Sequence, residues 1–413
     1  MADRHVGVLI VGGGPAGATC AETLRERGYE GEILLVGREP DPPYERPPGS
    51  KEFLAGKSAK EDAFLHPVAW YAEQNIELLV RTSVMKFDAE AKEASLSTKQ
   101  TVSFDHAVLA TGANVRRLPV DGSDLEGIHY LRALRNADAI RDDASEAANV
   151  VLVGGSYIGC EVASTLTALG KQCTVVMQEE LPLSRGFGDT AGRFFQALLE
   201  SKGIRFVGGA EVDRFDGEGQ SVEQVVLKDG TVLDADVVVL GVGAVPDVMV
   251  ARGAKLELGP GGGVLCDDRL RTSAPDVYAA GDMCEYESAI HGRHVRIEHF
   301  EVAIAHGKTV AANILGDDVA HTEVPYFWSD LSDWATLESV GPALDGFDSE
   351  VVRGSLDDGE FTLWLLREGT LAAALTVGRG GDLEHARRFL TEHTPLGEHH
   401  AALADVDADL SAI

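Results

Sequence analysis

The chain has 413 residues, a length for two or three domains of ordinary size with a large buried core. Its 36 lysines and arginines face 67 aspartates and glutamates, and the formal charge of −31 argues against nucleic-acid phosphate or an anionic lipid surface as a partner. Five cysteines, Cys20, Cys160, Cys173, Cys266 and Cys284, form no CxxC pair and no zinc spacing. With no basic-then-apolar leader and no apolar run long enough for a bilayer, they point to a reducing, cytoplasmic protein without a metal site or membrane span. Only 11 of the 36 cations are lysine, and such an acid-rich, lysine-poor surface reads as an adaptation to solubility or salt.

Residues 6 to 28, VGVLIVGGGPAGATCAETLRERG, read as strand, glycine turn and helix. A second strand follows at Glu32 to Val36, and then DPPYERPPGSK at 41 to 51, where the prolines exclude regular structure. The stretch from Asn149 to Gln178 repeats the opening pattern and adds another strand. Two copies of one supersecondary unit imply two nucleotide-binding domains. DHAVLATGANVRRLP (105 to 119) and ADVVVLGVGAVPD (235 to 247) are apolar strands with glycine turns that carry the chain from one domain to the other and back. TSAPDVYAAGDMCEY (272 to 286) resumes the strand–turn–helix pattern, and helical periodicity follows from Phe300 to Leu315. From His321 alternating aromatic segments predict an antiparallel sheet, closed by a helix near Leu383 to Thr391. The acidic tail is expected to be mobile or one loosely held helix.

Gly12, Gly14 and Gly17 have the G-x-G-x-x-G spacing between strand and helix, with Pro15 and Ala16 opening the helix. The first glycine makes the turn, the second lets backbone approach a pyrophosphate, and the third allows close helix–strand packing. Glu39 is the acid nearest the end of the second strand, either a ribose acceptor or a solvated loop acid, with Arg38 over the adenine as the alternative. In the second turn Gly154 and Gly159 are kept and Ser156 replaces the middle glycine, with Tyr157 and Ile158 between. Met177 stands where a ribose acid is expected, so Glu179 or Glu180 must serve, and no basic cluster awaits a 2′-phosphate. NADH is therefore favoured over NADPH, because a carboxylate repels that phosphate. Two dinucleotide folds in one chain suggest a hydride donor paired with a flavin, hence FAD plus NAD(H).

Taken together, GGGPAG, PPYERPPGSKEFL, LATGA, GGSYIGCEVA, TSAPDVYAAGD, IEHFEVAIAHG and PYFWSD resemble the FAD-dependent, NADH-using ferredoxin and rubredoxin reductases of oxygenase systems, over residues 5 to about 390. Apoptosis-inducing-factor-like flavoproteins share that superfamily. The resemblance implies an α/β fold of two Rossmann-like domains, glutathione-reductase-like, with a small α+β domain. It assigns 1–115 and 246–320 to FAD, 116–245 to NAD, 321–395 to the third domain and 396–413 to the tail. It places Arg46 near FAD, Lys51 near flavin N5, Val84 at the adenine, and Ala110, Thr111 and Gly112 along the cofactor. Asp282 is implied to bind the ribityl hydroxyls. Glu161 is implied to orient the nicotinamide carboxamide, with a plain helix N-terminal acid as the alternative. Glu298, His299 and Phe300 fall beside the isoalloxazine, Gly243 along the dinucleotide path, and Trp328 near the nicotinamide. Phe300 is tryptophan in many relatives, and Gly49 replaces a leucine.

Reductases that work through a dithiol need a CxxxxC turn beside the flavin, and none is present. Hydride is therefore expected to pass from NADH to FAD, and electrons singly to an external [2Fe–2S] ferredoxin or rubredoxin. The catalytic assignments are Lys51 and Glu161. A net charge of −31 would repel an acidic carrier unless cations such as Arg46, Arg116, Arg117 and Arg296 form a local basic patch or salt screens the field. A signalling flavoprotein with slow turnover and an NADH oxidase are the rival readings, and the chain is expected to be a monomer or homodimer.

Overall fold

The computed structural model describes residues 2–413. The chain divides into two compact units, residues 1–46, 60–114 and 244–325 in one, and 47–59, 115–243 and 326–413 in the other.

In the first unit, Ile76–Leu79, Ile33–Val36, Arg4–Val11, Thr101–Leu109 and Val277–Ala279 lie side by side as a parallel sheet. The hairpin Val84–Asp88 and Glu93–Leu96 extends it in antiparallel fashion. The continuous apolar runs have this cause: Val6, Val8, Leu9, Ile10 and Leu34 are fully buried because both faces of a parallel sheet are covered. Pro15 sits in the first turn of the helix Pro15–Glu26, where its missing N–H costs nothing. That helix packs along Phe300–Ile314. The approach is so close that a Cβ on Gly307 would lie 2.5 Å from the Ala16 carbonyl.

In the second unit, Arg205–Val207, Gln172–Val176, Asn149–Val153, Val237–Leu240 and Ile128–Tyr130 form a five-stranded parallel sheet. A three-stranded antiparallel sheet spans Val212 to Asp234. The C-terminal part is an antiparallel sheet of five strands in the order Tyr326–Leu331, Ala335–Val340, Thr370–Val377, Glu360–Arg367, Ser349–Ser355. The helix Asp382–Glu392 packs on it.

Three expectations are corrected. After the Gly281 turn the chain enters a strand, Cys284–Ser288, not a helix, because it is paired on both sides, with Val264–Cys266 and Arg293–Val295. The proline-rich loop contains one turn of 3-10 helix, Pro47–Ser50. The tail is neither mobile nor loosely held: it includes the helix His400–Ala404, and its carbonyls are bound by buried Arg353. Among the described residues no helix is long and apolar enough to cross a membrane.

Candidate functional site

The first unit presents the opening glycine turn. Gly12 has φ +133°, and a Cβ there would stand 2.0 Å from the Ala110 carbonyl oxygen, so only glycine fits. A Cβ on Gly17 would lie 2.3 Å from the Gly12 oxygen, so this glycine permits the helix to abut the strand. Gly14 differs from both. Its backbone is extended, and a Cβ would meet no protein atom within 4 Å. Open space thus lies at the N-terminus of Pro15–Glu26, where unpaired N–H groups and the helix dipole favour an anion. The residues present fit a dinucleotide pyrophosphate.

Ala110, Thr111 and Gly112 leave the end of Thr101–Leu109 beside this turn. Thr111 donates its hydroxyl to the Asp247 carbonyl at 2.6 Å and contacts Met283 Sδ at 2.8 Å. Met283 closes the short turn that carries Asp282, and the Asp282 carbonyl accepts from Arg296 at 3.0 Å. Arg296 also pairs with Glu298, and His299 and Phe300 follow at the start of the helix Phe300–Ile314. Val84 begins its strand, buried.

Glu39 is not a solvated loop acid. Its carboxylate accepts from Tyr44 at 2.5 Å and from Arg46 at 2.7 Å, and the Arg46 guanidinium lies 4.4 Å from the centre of the Tyr44 ring. Arg38 is tied to Asp247 at 2.7 Å and to Asn114 at 2.6 Å. Neither Tyr44 nor Asp247 was singled out in the sequence; the tyrosine inside PPYERPP was the available signal.

The second unit repeats the turn. Gly154 has φ +116°, and a Cβ would lie 2.3 Å from the Gly241 oxygen; on Gly159 it would lie 1.9 Å from the Gly154 oxygen. Ser156 is exposed at the helix N-cap, with no capping bond from its hydroxyl, and Ile158 is exposed as well. Met177 is core: its sulfur packs against Gly155. Glu179 is half-buried, with the exposed Arg185 at 3.9 Å from its carboxylate. Gly243 has φ +100° and accepts from the Arg116 amide at 2.9 Å.

Lys51 and Glu161 are brought together in this unit. One oxygen of buried Glu161 accepts from Lys51 Nζ at 2.9 Å and from the Ser329 hydroxyl at 2.5 Å, and the other from the Ser50 hydroxyl at 2.5 Å. Asp330 lies 3.9 Å from Lys51. Glu161 is buried and held by three side-chain donors. The arrangement follows from two periodicities. Tyr157, Glu161 and Thr165 share one stripe of the helix Tyr157–Ala168, while Phe327 and Ser329 share one face of Tyr326–Leu331. Phe327 meets Tyr157 at 4.3 Å between ring centres, Ser329 meets Glu161, and Thr165 donates to the Ser50 carbonyl at 2.8 Å. Ser50 and Ser329 were not identified in the sequence, although both stand inside quoted motifs. Trp328, on the opposite face of the strand, is half-buried and stacks on Tyr326. Gly49 is buried with open space where its Cβ would project.

None of the five cysteines forms a disulfide, and all are buried. Burial pushes the Cys160 thiol up to about 12 and Cys173 to about 11, so neither offers a thiolate near neutrality.

Two dinucleotide-type turns with no exposed thiol define a class of nucleotide-dependent oxidoreductase. The description "Pyridine nucleotide-disulphide oxidoreductase" matches residues 6–307, and "Reductase C-terminal" matches 326–413. The chain is 36% identical over 370 residues to a rubredoxin-NAD(+) reductase of Ectopseudomonas oleovorans, covering 90% of this chain and 95% of that one. Rhodocoxin reductase of Rhodococcus erythropolis is 32% identical over 98% of this chain and 94% of its own. Among solved structures, the ferredoxin reductase for the CYP199A2 system from Rhodopseudomonas palustris superposes with a TM-score of 0.94 at 33% identity, covering 99% of each chain. The chain belongs to the pyridine nucleotide-disulphide oxidoreductase family and, within it, to the ferredoxin and rubredoxin reductases.

Proposed function

We propose that the chain is an FAD-dependent NADH:ferredoxin or rubredoxin reductase that supplies electrons to an oxygenase. The observation that carries this reading is the contrast among the first three motif glycines. Gly12 and Gly17 are required by protein atoms, whereas Gly14 opens onto free space. FAD, when bound, supplies hydride acceptance from NADH and one-electron release to a carrier. The residues 12–17 hold its pyrophosphate, and Asp282 accepts from its ribityl hydroxyls. The turn at Gly154–Gly159 holds NADH, with Glu161 orienting the carboxamide and Lys51, Ser50 and Ser329 fixing Glu161. The sequence has no CxxxxC turn and no cysteine in the loop 41–51, and its five cysteines are all buried, which supports electron exit to an external carrier rather than through a flavin-side dithiol. A covalent complex of putidaredoxin reductase with putidaredoxin, which matches this chain at 33% identity with a TM-score of 0.92, supports a separate redox protein as that carrier.

The test mixes FAD-loaded protein with NADH and either a [2Fe–2S] ferredoxin or a rubredoxin. Carrier reduction at catalytic rates, faster with NADH than with NADPH, is expected. Flavin reduction without carrier reduction above the buffer rate rejects the assignment.

A further inference from the structure

We infer that His306 is a positioning residue for the FAD site, acting through the Gly281–Asp282 turn; the inference rests on the flavoprotein reading above and deepens it. At the end of Val277–Ala279 the sheet ladder stops: Ala280 donates to the Leu109 carbonyl, and the next amide, Gly281 N–H, has no strand to bond to. His306 Nδ1 takes it, at 3.1 Å and wholly buried. Gly281 has φ +74° and packs between Ala16 and Ala303, so the turn is wedged between the two helices that flank the glycine loop. A buried N–H left without an acceptor would push this turn out of place, and Asp282 is the next residue.

The ring's chemical state follows from its partners. Nδ1 accepts, so the proton is on Nε2 and the imidazole is neutral. Two rings pack on it edge-to-face, Tyr286 at 4.7 Å and His321 at 4.6 Å. His321 is fixed in turn. The Thr309 hydroxyl donates to the Ala305 carbonyl, so the 3.1 Å contact to Thr309 is made by the His321 Nδ1–H. Burial, with His321 beside it, holds His306 well below the ordinary histidine range, which keeps the Nδ1 lone pair available. His306 is thus a locked acceptor, set by the packing of Tyr286 and His321, and its single polar link is to the turn that carries Asp282.

The test compares full-length wild type with His306→Leu, His306→Met and His306→Asn. Each is stripped of flavin and titrated with FAD by fluorescence quenching, and the Tm of each stripped protein is measured. Leu and Met remove the acceptor at similar volume, whereas the Asn carbonyl falls near the position of Nδ1. Leu and Met are expected to raise the FAD dissociation constant at least about tenfold, and to alter the visible flavin band shape, with Tm changed little. Asn is expected to stay within about threefold of wild type. Should the Leu protein aggregate, the Met protein carries the comparison. Wild-type FAD affinity in Leu or Met, or an Asn variant as weak as they are, overturns the positioning role while leaving the flavoprotein reading intact. A wild type that takes up no FAD overturns both.

Discussion

Glycines of identical type in one motif have unlike reasons to be there. Gly14 occupies extended backbone that any residue can adopt, with open space before it. Gly14→Ala is therefore expected to keep Tm within about 2 °C of wild type yet bind FAD at least about tenfold more weakly. Gly17→Ala, aimed at a backbone oxygen 2.3 Å away, is expected to cost about 1–3 kcal/mol of stability in denaturant melts. Equal FAD affinity of Gly14→Ala and wild type would show that no ligand approaches there. The Lys51–Glu161 pair is a second residue-scale case. Removing either charge leaves the other buried and uncompensated, although Asp330 is near enough to relieve Lys51 in part. In a double-mutant cycle with Lys51→Met and Glu161→Gln, the pair is expected to show a coupling of at least about 1 kcal/mol, the double variant losing less than the singles combined. Additive losses would mean the pair contributes no net coupling.

At the scale of elements, the C-terminal segment departs most from its sequence reading. Its weak hydrophobic pattern suggested a mobile tail, because pattern registers apolar burial and not backbone carbonyls captured by a distant cation. Arg353, buried on Ser349–Ser355, donates to the carbonyls of Ala402, Asp405, Val406 and Ala408, and pairs with Asp382 at 3.4 Å. It thereby supplies a positive charge at the C-terminal end of His400–Ala404, where the helix dipole favours one. Asp382 keeps Arg379 and Thr362 as partners without it. Arg353→Met is expected to raise amide hydrogen exchange across 400–413 at least about tenfold while the sheet 326–377 stays protected. Unchanged protection of the tail would assign its order to Leu403 and Leu410, which are buried. The strand Cys284–Ser288 makes the same point: helix or strand after Gly281 was decided by pairing with residues about 20 positions before and a few after.

For the whole molecule, the expected pH response comes from two histidines buried uncharged. Burial pushes His321 down to about 4, and His306 lower than its ordinary range, whereas both titrate near 6.5 when unfolded. Between those values the unfolded chain binds more protons than the folded one, so stability falls as pH falls. The full contribution is present above about 6.5 and is lost towards about 4, roughly 3 kcal/mol for His321 alone. Urea unfolding at pH 7.5, 6 and 5 is expected to show this decline, and His321→Asn a shallower one; identical slopes would assign the acid sensitivity to other groups. The charge of −31 sets a second response. With an acidic carrier, reduction at limiting carrier concentration is expected to quicken as salt rises from about 10 to 150 mM, since screening relieves repulsion. A rate that falls with salt would reveal a local basic surface that outweighs the net charge.

The sequence alone determined the two strand–turn–helix units, the antiparallel C-terminal sheet and the family. These rest on short-range signals: glycine spacing, period-2 and period-3.6 burial, and motifs contiguous in the chain. It also singled out Lys51 and Glu161, through resemblance, but in separate roles and not as a pair. The tertiary structure decided who holds whom. That Ser50 and Ser329 complete the Glu161 cage, that His306 serves Gly281, and that Arg353 binds the tail all depend on contacts between segments remote in sequence. Such pairs leave no periodic trace, because a hydrogen bond needs two atoms about 3 Å apart in space and nothing about their separation along the chain.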